Sequence, residues 1–371
     1  MRMIHIAKTL LALALLGSAW AQKPKITNAK VDEKPAGSSL KSVVEQAGQQ
    51  GGPQWIGYRI PAKATERTMC CFDSWDGEGS STTSSSSGKC CKGCRMDSDH
   101  GTSVNGTVSD CAPPEPVPYA FVFLKTENKQ VTKARVFSAE CPLDFAGLPV
   151  HWIEGVKPEE SIDLLANLAM ASDGEEGGRS IGHNVVMAIA MHDVPAADSA
   201  LERLVQPSNP LKLRENVAFW LGIERGKKGV EILEKAINAD SDERFREKVT
   251  FAFSQGYSQG KQEQALKDLI GMAHNDPSPR VRGQAIFWMA QIGGQKQAQQ
   301  ITEAIENDPE TQVKEKAVFA LSQLRDGEGV PLLIGVAKNN KNPVVRKKAM
   351  FWLGQSHDPR ALAYLEDVLT R

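Results

Sequence analysis

One six-residue pattern returns five times in the second half of the chain and restricts its fold more than any other feature. Val217-Ala218-Phe219-Trp220-Leu221-Gly222 aligns with Val249-Thr250-Phe251-Ala252-Phe253-Ser254 and with Ala285-Ile286-Phe287-Trp288-Met289-Ala290. Ala317-Val318-Phe319-Ala320-Leu321-Ser322 and Ala349-Met350-Phe351-Trp352-Leu353-Gly354 complete the series. The phenylalanines are separated by 32, 36, 32 and 32 residues. Self-similarity with such a period is the mark of stacked supersecondary units. Stepping back 32 residues from Phe219 reaches Met187, which counts as a degenerate first copy.

Each unit holds two helical patterns joined by a short polar turn. The first carries the Phe, as in 214–223, and the second is of the type Val230-Glu231-Ile232-Leu233-Glu234-Lys235-Ala236-Ile237. A single hairpin cannot cover its own apolar stripe, so neighbours must stack. The expected fold is therefore mainly α, a solenoid of about six helical hairpins. Two further features keep the same register. A cation precedes each Phe by five residues: Arg214, Arg246, Arg282, Lys314 and Arg346. A turn pair lies nine to eleven residues before most of them: Asn209-Pro210, Asp276-Pro277, Asp308-Pro309 and Asn342-Pro343. Asp or Asn ahead of Pro is expected to cap the first helix, with Pro at its first turn. The cations are expected to pair with turn carboxylates of adjacent units.

The unit Asp276-Pro277-Ser278-Pro279-Arg280-Val281-Arg282-Gly283-Gln284-Ala285, with the helix after it, resembles a HEAT repeat. More narrowly, it is similar to the short HEAT-like repeats named after phycobilisome lyases, over roughly 180–371. The Phe-Trp-Leu-Gly flavour resembles that of HEAT-repeat proteins exported by bacteria. The resemblance implies a scaffold that binds a protein or peptide partner. It implies no activity, because one fold hosts several. HEAT-like repeats also build deoxyhypusine hydroxylase, whose iron rests on His-Glu pairs. Here His183, His192, His274 and His357 are not followed by Glu, so that motif is absent. Nothing points to a tetrapyrrole either, so bilin lyase activity has only the repeat's name behind it.

The first half of the chain is built differently. Residues 1–21 read as a secretory signal peptide: Arg2 and Lys8, then Leu10-Leu11-Ala12-Leu13-Ala14-Leu15-Leu16, then Ala19-Trp20-Ala21 at the expected cut. The apolar stretch is too short to cross ~30 Å of hydrocarbon. That places the mature protein in the periplasm or outside the cell. Residues 22–52 are polar and read as a flexible leader with a short helix near Leu40–Gln46. Over 53–152 the pattern turns β-prone. Trp55–Ile60 reads as a strand, Tyr119–Leu124 and Val131–Phe137 as a hairpin, and Val150–Ile153 as a further strand. Pro158-Glu159-Glu160 opens a helix, and 157–371 is the helical part.

All seven cysteines, Cys70, Cys71, Cys90, Cys91, Cys94, Cys111 and Cys141, fall in that β-rich segment, mostly in an insertion with the Ser-rich loop 80–88. In an oxidising compartment such a cluster is expected to form disulfides. The odd number leaves one thiol over, and sequence does not select the pairing. The alternatives are zinc, with Cys70, Cys71, Cys91 and Cys94 as four ligands, or redox work at the C-x-x-C of Cys91 and Cys94. No helix start or βαβ pattern surrounds that motif.

Trp220, Trp288 and Trp352 each follow a ladder Phe and are candidates for a partner surface, with inter-repeat packing as the plainer reading. Arg346-Lys347-Lys348 is a basic run that reads either as a solvated face or as part of that surface. With 44 Lys+Arg against 45 Asp+Glu the net charge is −1, which removes the basic field expected of a nucleic-acid binder. No G-x-S-x-G, H-E-x-x-H or P-loop is present, so no enzyme class, catalytic residue or cofactor is expected. Asn105-Gly106-Thr107 matches an N-glycosylation sequon.

Overall fold

A computed structural model describes residues 23–37, 39–64, 94–96, 116–137, 141–172, 181–260 and 262–370. The chain separates into two units. The first takes residues up to Leu168 together with Met187–Val194, and the second takes Ala169–Val186 and Pro195 onward.

The first unit is a two-sheet structure. Strands β1 (Lys25–Thr27), β2 (Val31–Pro35), β3 (Gln54–Pro61), β4 (Cys94–Arg95), β5 (Tyr119–Glu127), β6 (Gln130–Phe137), β7 (Pro142–Asp144) and β8 (Val150–Glu154) are joined by α1 (Leu40–Gln49). The larger sheet runs β2-β8-β3-β5-β6 and the smaller β1-β7-β4. β5 and β6 form the expected hairpin, and β8 runs parallel to both β2 and β3. Trp55, Phe121, Phe123, Phe137 and Trp152 of the large sheet share one buried cluster with Cys94 and Leu143 of the small one and with Cys141 just ahead of β7. Gly57 is required there, because a Cβ would lie 2.4 Å from the Phe123 ring. The alternate residues Ile56, Tyr58, Ile60, Val122 and Leu124 are buried on the other face. A strand buried on both faces loses its alternation, which is why β3 and β5 read as continuous apolar runs.

The segment expected as a flexible leader is instead threaded into both sheets. β1 pairs with β7, and β2 with β8 in register from Val31↔Val150 to Pro35↔Glu154. β2 is exposed along its whole length, so it is held by backbone hydrogen bonds that leave no hydrophobic pattern to read. α2 (Pro158–Ala171) starts at the expected proline with Glu159 and Glu160 in its first turn. α3 (Ile181–Met191) falls at the division between the units.

The second unit holds α4 (Pro195–Leu204) and five hairpins: α5 (Leu211–Glu224) with α6 (Gly226–Ala239), α7 (Glu243–Gly260) with α8 (Glu263–Asn275), α9 (Pro279–Gly293) with α10 (Ala298–Asn307), α11 (Thr311–Ser322) with α12 (Val330–Asn339), and α13 (Pro343–Gln355) with α14 (Pro359–Thr370). The first helices of the hairpins, here the A helices, pack tightly on one another in sequence, whereas each of the second, B, helices α6 to α12 lies between its own A helix and that of the next hairpin and packs at least as closely on the latter. At Gly222 a Cβ would lie 2.4 Å from the Ala252 carbonyl, so α5 and α7 meet backbone to backbone. Gly229 and Gly329 allow the same intimacy within a hairpin, facing the carbonyls of Leu221 and Leu321. Val217, Leu221, Val249, Phe253, Ala285, Met289, Ala317, Leu321, Ala349 and Leu353 point inward and are buried, at about 1.5–3 kcal/mol for each large side chain.

Candidate functional site

The A helices of α5 to α13 present one side that their B partners do not cover, and the repeat phenylalanines and tryptophans meet along it. Phe219 stacks on Phe251 with centroids 5.7 Å apart, and Phe287 on Phe319 at 5.9 Å with their planes within 2°. Trp288 bridges to Phe251 and Trp352 to Phe319, each at 4.9 Å. At the upstream end His183 continues the line, 5.5 Å from Trp220 and 6.2 Å from Phe219. Burial lowers the pKa of the His183 imidazole, so it is neutral at physiological pH.

The ladder residues are therefore not deep core. Phe219 is 8% exposed, Phe351 is 53% exposed, and Phe251, Phe287 and Phe319 lie between. Met187, the degenerate first member, is buried and belongs to the first unit. The inward side of each A helix is already filled by Val, Leu and Ala, which rotates the Phe and Trp positions toward the neighbouring A helix and solvent. Trp220, Trp288 and Trp352 meet their own Phe edge to face at 5.0–5.1 Å. Their indole N–H groups are withdrawn from solvent and meet no acceptor among the described residues, so they offer ring surface and not a hydrogen bond.

Polar rows flank the rings. Three to four residues before the Phe, toward the start of the helix, stand Glu215, Glu247, Lys248, Glu315, Lys316, Lys347 and Lys348, with the uncharged Gly283 and Gln284 before Phe287, and four residues after every Phe but Phe219 stand Gln255, Gln291, Gln323 and Gln355. Glu247 pairs with Arg280, and Glu315 lies 3.9 Å from Lys348. Burial raises the pKa of Glu215, opposed by Lys248. Lys316 lays its stem across Gly283 of α9.

The cation series has a different task. Arg246 clamps Asp276 in the linker to the next hairpin, Nε to Oδ2 at 2.8 Å and Nη2 to Oδ1 at 3.0 Å, and donates Nη1–H to the Asp240 carbonyl. Arg282 does the same to Asp308 and the Asp276 carbonyl, and Arg214 pairs with Asp240. Lys314 donates to the Glu306 carbonyl, and Arg346 to those of Asn340 and Lys341. The expected turn caps are corrected in part. Asn342 does accept from Val344 N–H with Pro343 in the first turn, but the N-cap positions of α9 and α11 are Ser278 and Glu310. Asp276 and Asp308 sit two residues upstream, where each closes an Asx turn and receives the arginine of the preceding hairpin. Asn209 instead ties down the end of α4 through the carbonyls of Arg203 and Leu204. The series Asp240, Asp276, Asp308 and Asn340 repeats at 36, 32 and 32 residues, a signal hidden by reading all the turn pairs as caps.

In the first unit, Cys94 and Cys141 lie in the shared cluster, 3% and 0% exposed. Cys70, Cys71, Cys90, Cys91 and Cys111 lie outside the described residues, as do the signal segment, the Ser-rich loop and Asn105. Among the described residues no group of three His, Cys, Asp or Glu is placed to hold a metal. One buried polar chain escaped sequence reasoning. Ser161 Oγ is 3.0 Å from both the Tyr58 hydroxyl and His192 Nε2, and His192 Nδ1 is 2.7 Å from the Ala188 carbonyl. Ser161 donates to the Tyr58 hydroxyl and stays within hydrogen-bond reach of the His192 ring. All three side chains are fully buried and burial raises the Tyr58 pKa, so the chain ties β3, α2 and the end of α3 together within the first unit.

Taken by themselves, α5 to α14 define a solenoid of stacked antiparallel hairpins. Residues 298–371 match the family described as HEAT repeats, and the upstream hairpins carry the same Phe, Arg and Asp register. The last hairpins are thus HEAT repeats, and the stack continues upstream of them in the same register. No curated protein sequence matches the chain. Among solved structures it is similar to human deoxyhypusine hydroxylase in complex with glycerol, at 16% identity over 57% of this chain and 90% of that one, with a TM-score of 0.28. It is also similar to the complex of CpcE and CpcF of phycocyanin lyase from Nostoc sp. PCC7120, at 20% identity over 54% and 76%, with a TM-score of 0.30. Superpositions of that quality say nothing about reaction or partner. Among the described residues no helix is long and apolar enough to cross a membrane.

Proposed function

We propose that this protein is a scaffold whose HEAT solenoid holds a protein or peptide partner on the uncovered side of its A helices. One observation carries the reading: a line of aromatic rings, each touching the next hairpin, runs from His183 through Phe219, Phe251 and Phe287 toward Trp352 without being sealed into the core. A continuous, partly exposed apolar stripe edged by polar groups is the usual makeup of a binding surface. The protein acts outside the cytoplasm after cleavage behind Ala21, a reading supported by the basic start, short apolar run and Ala19-Trp20-Ala21. Its cysteines serve as structural disulfides, which fits the placement of Cys94 and Cys141 deep in the cluster shared by the two sheets.

A photo-cross-linking residue in place of Trp288 tests the scaffold reading in the native host, with the same residue in place of Lys267 on α8 as control. Reproducible adducts from the Trp288 position and none from Lys267 are expected. Equal adducts from both, or none from either, refute it.

A further inference from the structure

The partner face has a chemical polarity that goes beyond its aromatic line. The chain as a whole is balanced at a net charge of −1, yet the edge of this face toward the starts of the A helices is not. Its carboxylates are Glu215, Glu247 and Glu315, of which Glu247 is engaged by Arg280 and Glu315 lies beside Lys348. Lys248 and Arg244 act on Glu215 together with Asp242, so Lys316 and Lys347 remain in excess along it. The Lys316 stem lies over Gly283 of the neighbouring A helix. The opposite edge carries no such excess. It is a row of primary amides, Gln255, Gln291, Gln323 and Gln355, one for each hairpin from α7 to α13.

Rings in the middle, cations on one edge and amides on the other match a particular ligand. Resting on the scaffold reading above, we infer that the face binds an extended acidic peptide with apolar side chains. The ligand lies along the line of rings, its carboxylates toward the cation row and its backbone amides toward the glutamines. An amide side chain both donates and accepts, so it matches a peptide group in either direction. Five A helices about 8–10 Å apart span roughly 40 Å, and at ~3.3 Å per residue an extended ligand needs about twelve residues. Complementary charge also makes association faster and sensitive to salt.

The test uses the full-length protein and three fluorescent peptides of about twelve residues, read by anisotropy. These are repeated Asp-Phe-Glu-Ala, repeated Lys-Phe-Lys-Ala and repeated Asp-Ser-Glu-Ala. The first is expected to saturate and to bind roughly tenfold or more tighter than either of the others, weakening as salt rises. Lys248→Glu combined with Lys316→Glu is expected to weaken it by about tenfold or more. Both side chains are at least partly exposed, so the double variant should fold, which circular dichroism checks. If it does not fold, the peptide comparison and the salt dependence on the unaltered protein still decide. Equal binding of the acidic and basic peptides overturns the inference. So does saturation by a soluble oligosaccharide in place of the acidic peptide. If the Trp288 cross-linker captures a partner while no acidic peptide saturates, the scaffold stands and the ligand class is wrong. If both fail, the scaffold reading falls with it.

Discussion

Replacing Arg246 by Ala should be the most damaging single change available on the surface between two hairpins. The guanidinium is buried, with its side chain 10% exposed, and clamps an Asp276 carboxylate that is 6% exposed. Removing one member of a buried pair strands the other's charge, which typically costs 3–5 kcal/mol. Asp276 would keep the Ser278 N–H at 2.9 Å, so its carboxylate is not left bare and the lower end, about 3 kcal/mol, applies. Asp276→Asn retains the Asx-turn acceptor but loses the charge and sets an NH2 donor against Arg246 Nε–H in place of Oδ2, for about 2 kcal/mol. In the double variant the stranded charge is gone, so its cost should fall short of the sum by about 1–2 kcal/mol. Lys235 and Glu202 provide the contrast: they lie 2.9 Å apart but are 67% and 38% exposed, so solvent and salt screen them and little coupling is expected. Because each hairpin touches only its neighbours, the loss should be concentrated in α7, α8 and α9. Hydrogen exchange read helix by helix, with urea unfolding of the helical signal, measures both quantities. An Arg246→Ala cost under about 1 kcal/mol, or an Arg246–Asp276 coupling no larger than the Lys235–Glu202 one, would refute the claim that these clamps hold the stack.

Asp268 is half-buried, its Oδ2 meets no donor among the described residues, and burial pushes its pKa to about 6. A carboxyl raised above its unfolded value favours the fold when protonated. Stability should therefore decline as pH rises from about 4 through 6, and Asp268→Asn should add about 1 kcal/mol at neutral pH while flattening that decline in thermal melts. Asp358 behaves in the opposite sense: Arg360 holds its carboxyl down to about 2, so its contribution is complete above its unfolded value near 4. That contribution disappears only as pH falls toward 2, and the Asp358 carboxyl resonance should titrate there. Gly222→Ala drives a methyl into the Ala252 backbone and should cost about 1–3 kcal/mol, whereas Gly354→Ala, at the same register with open space around it, should gain about 0.5–1 kcal/mol. Equal melting temperatures for the two glycine variants would show that the A helices have slack between them. Ser161→Ala breaks the Tyr58–His192 chain and should cost about 1–3 kcal/mol, seen as a lower melting temperature of the first unit.

The repeat was legible because its physics is local. A 32-residue period in Phe219, Phe251, Phe287, Phe319 and Phe351, with apolar residues at helical spacing, compels stacking whatever the side chains later do. The β5–β6 hairpin and the helix at Pro158 were equally plain, since turn residues and a first-turn proline act on their own neighbours. Three things had to wait for the tertiary structure. β2 is an exposed strand whose partner lies more than a hundred residues away, and backbone pairing leaves no trace in side-chain pattern. Asp276 and Asp308 resembled caps from their proline neighbours, and only the packed stack reveals the arginine of the preceding hairpin reaching them. The rings of the ladder could have been core or surface. Sequence determines that they recur, but their exposure depends on how far each A helix turns on its neighbour. Close packing of Gly222 against Ala252 settles that rotation, and no local propensity encodes it.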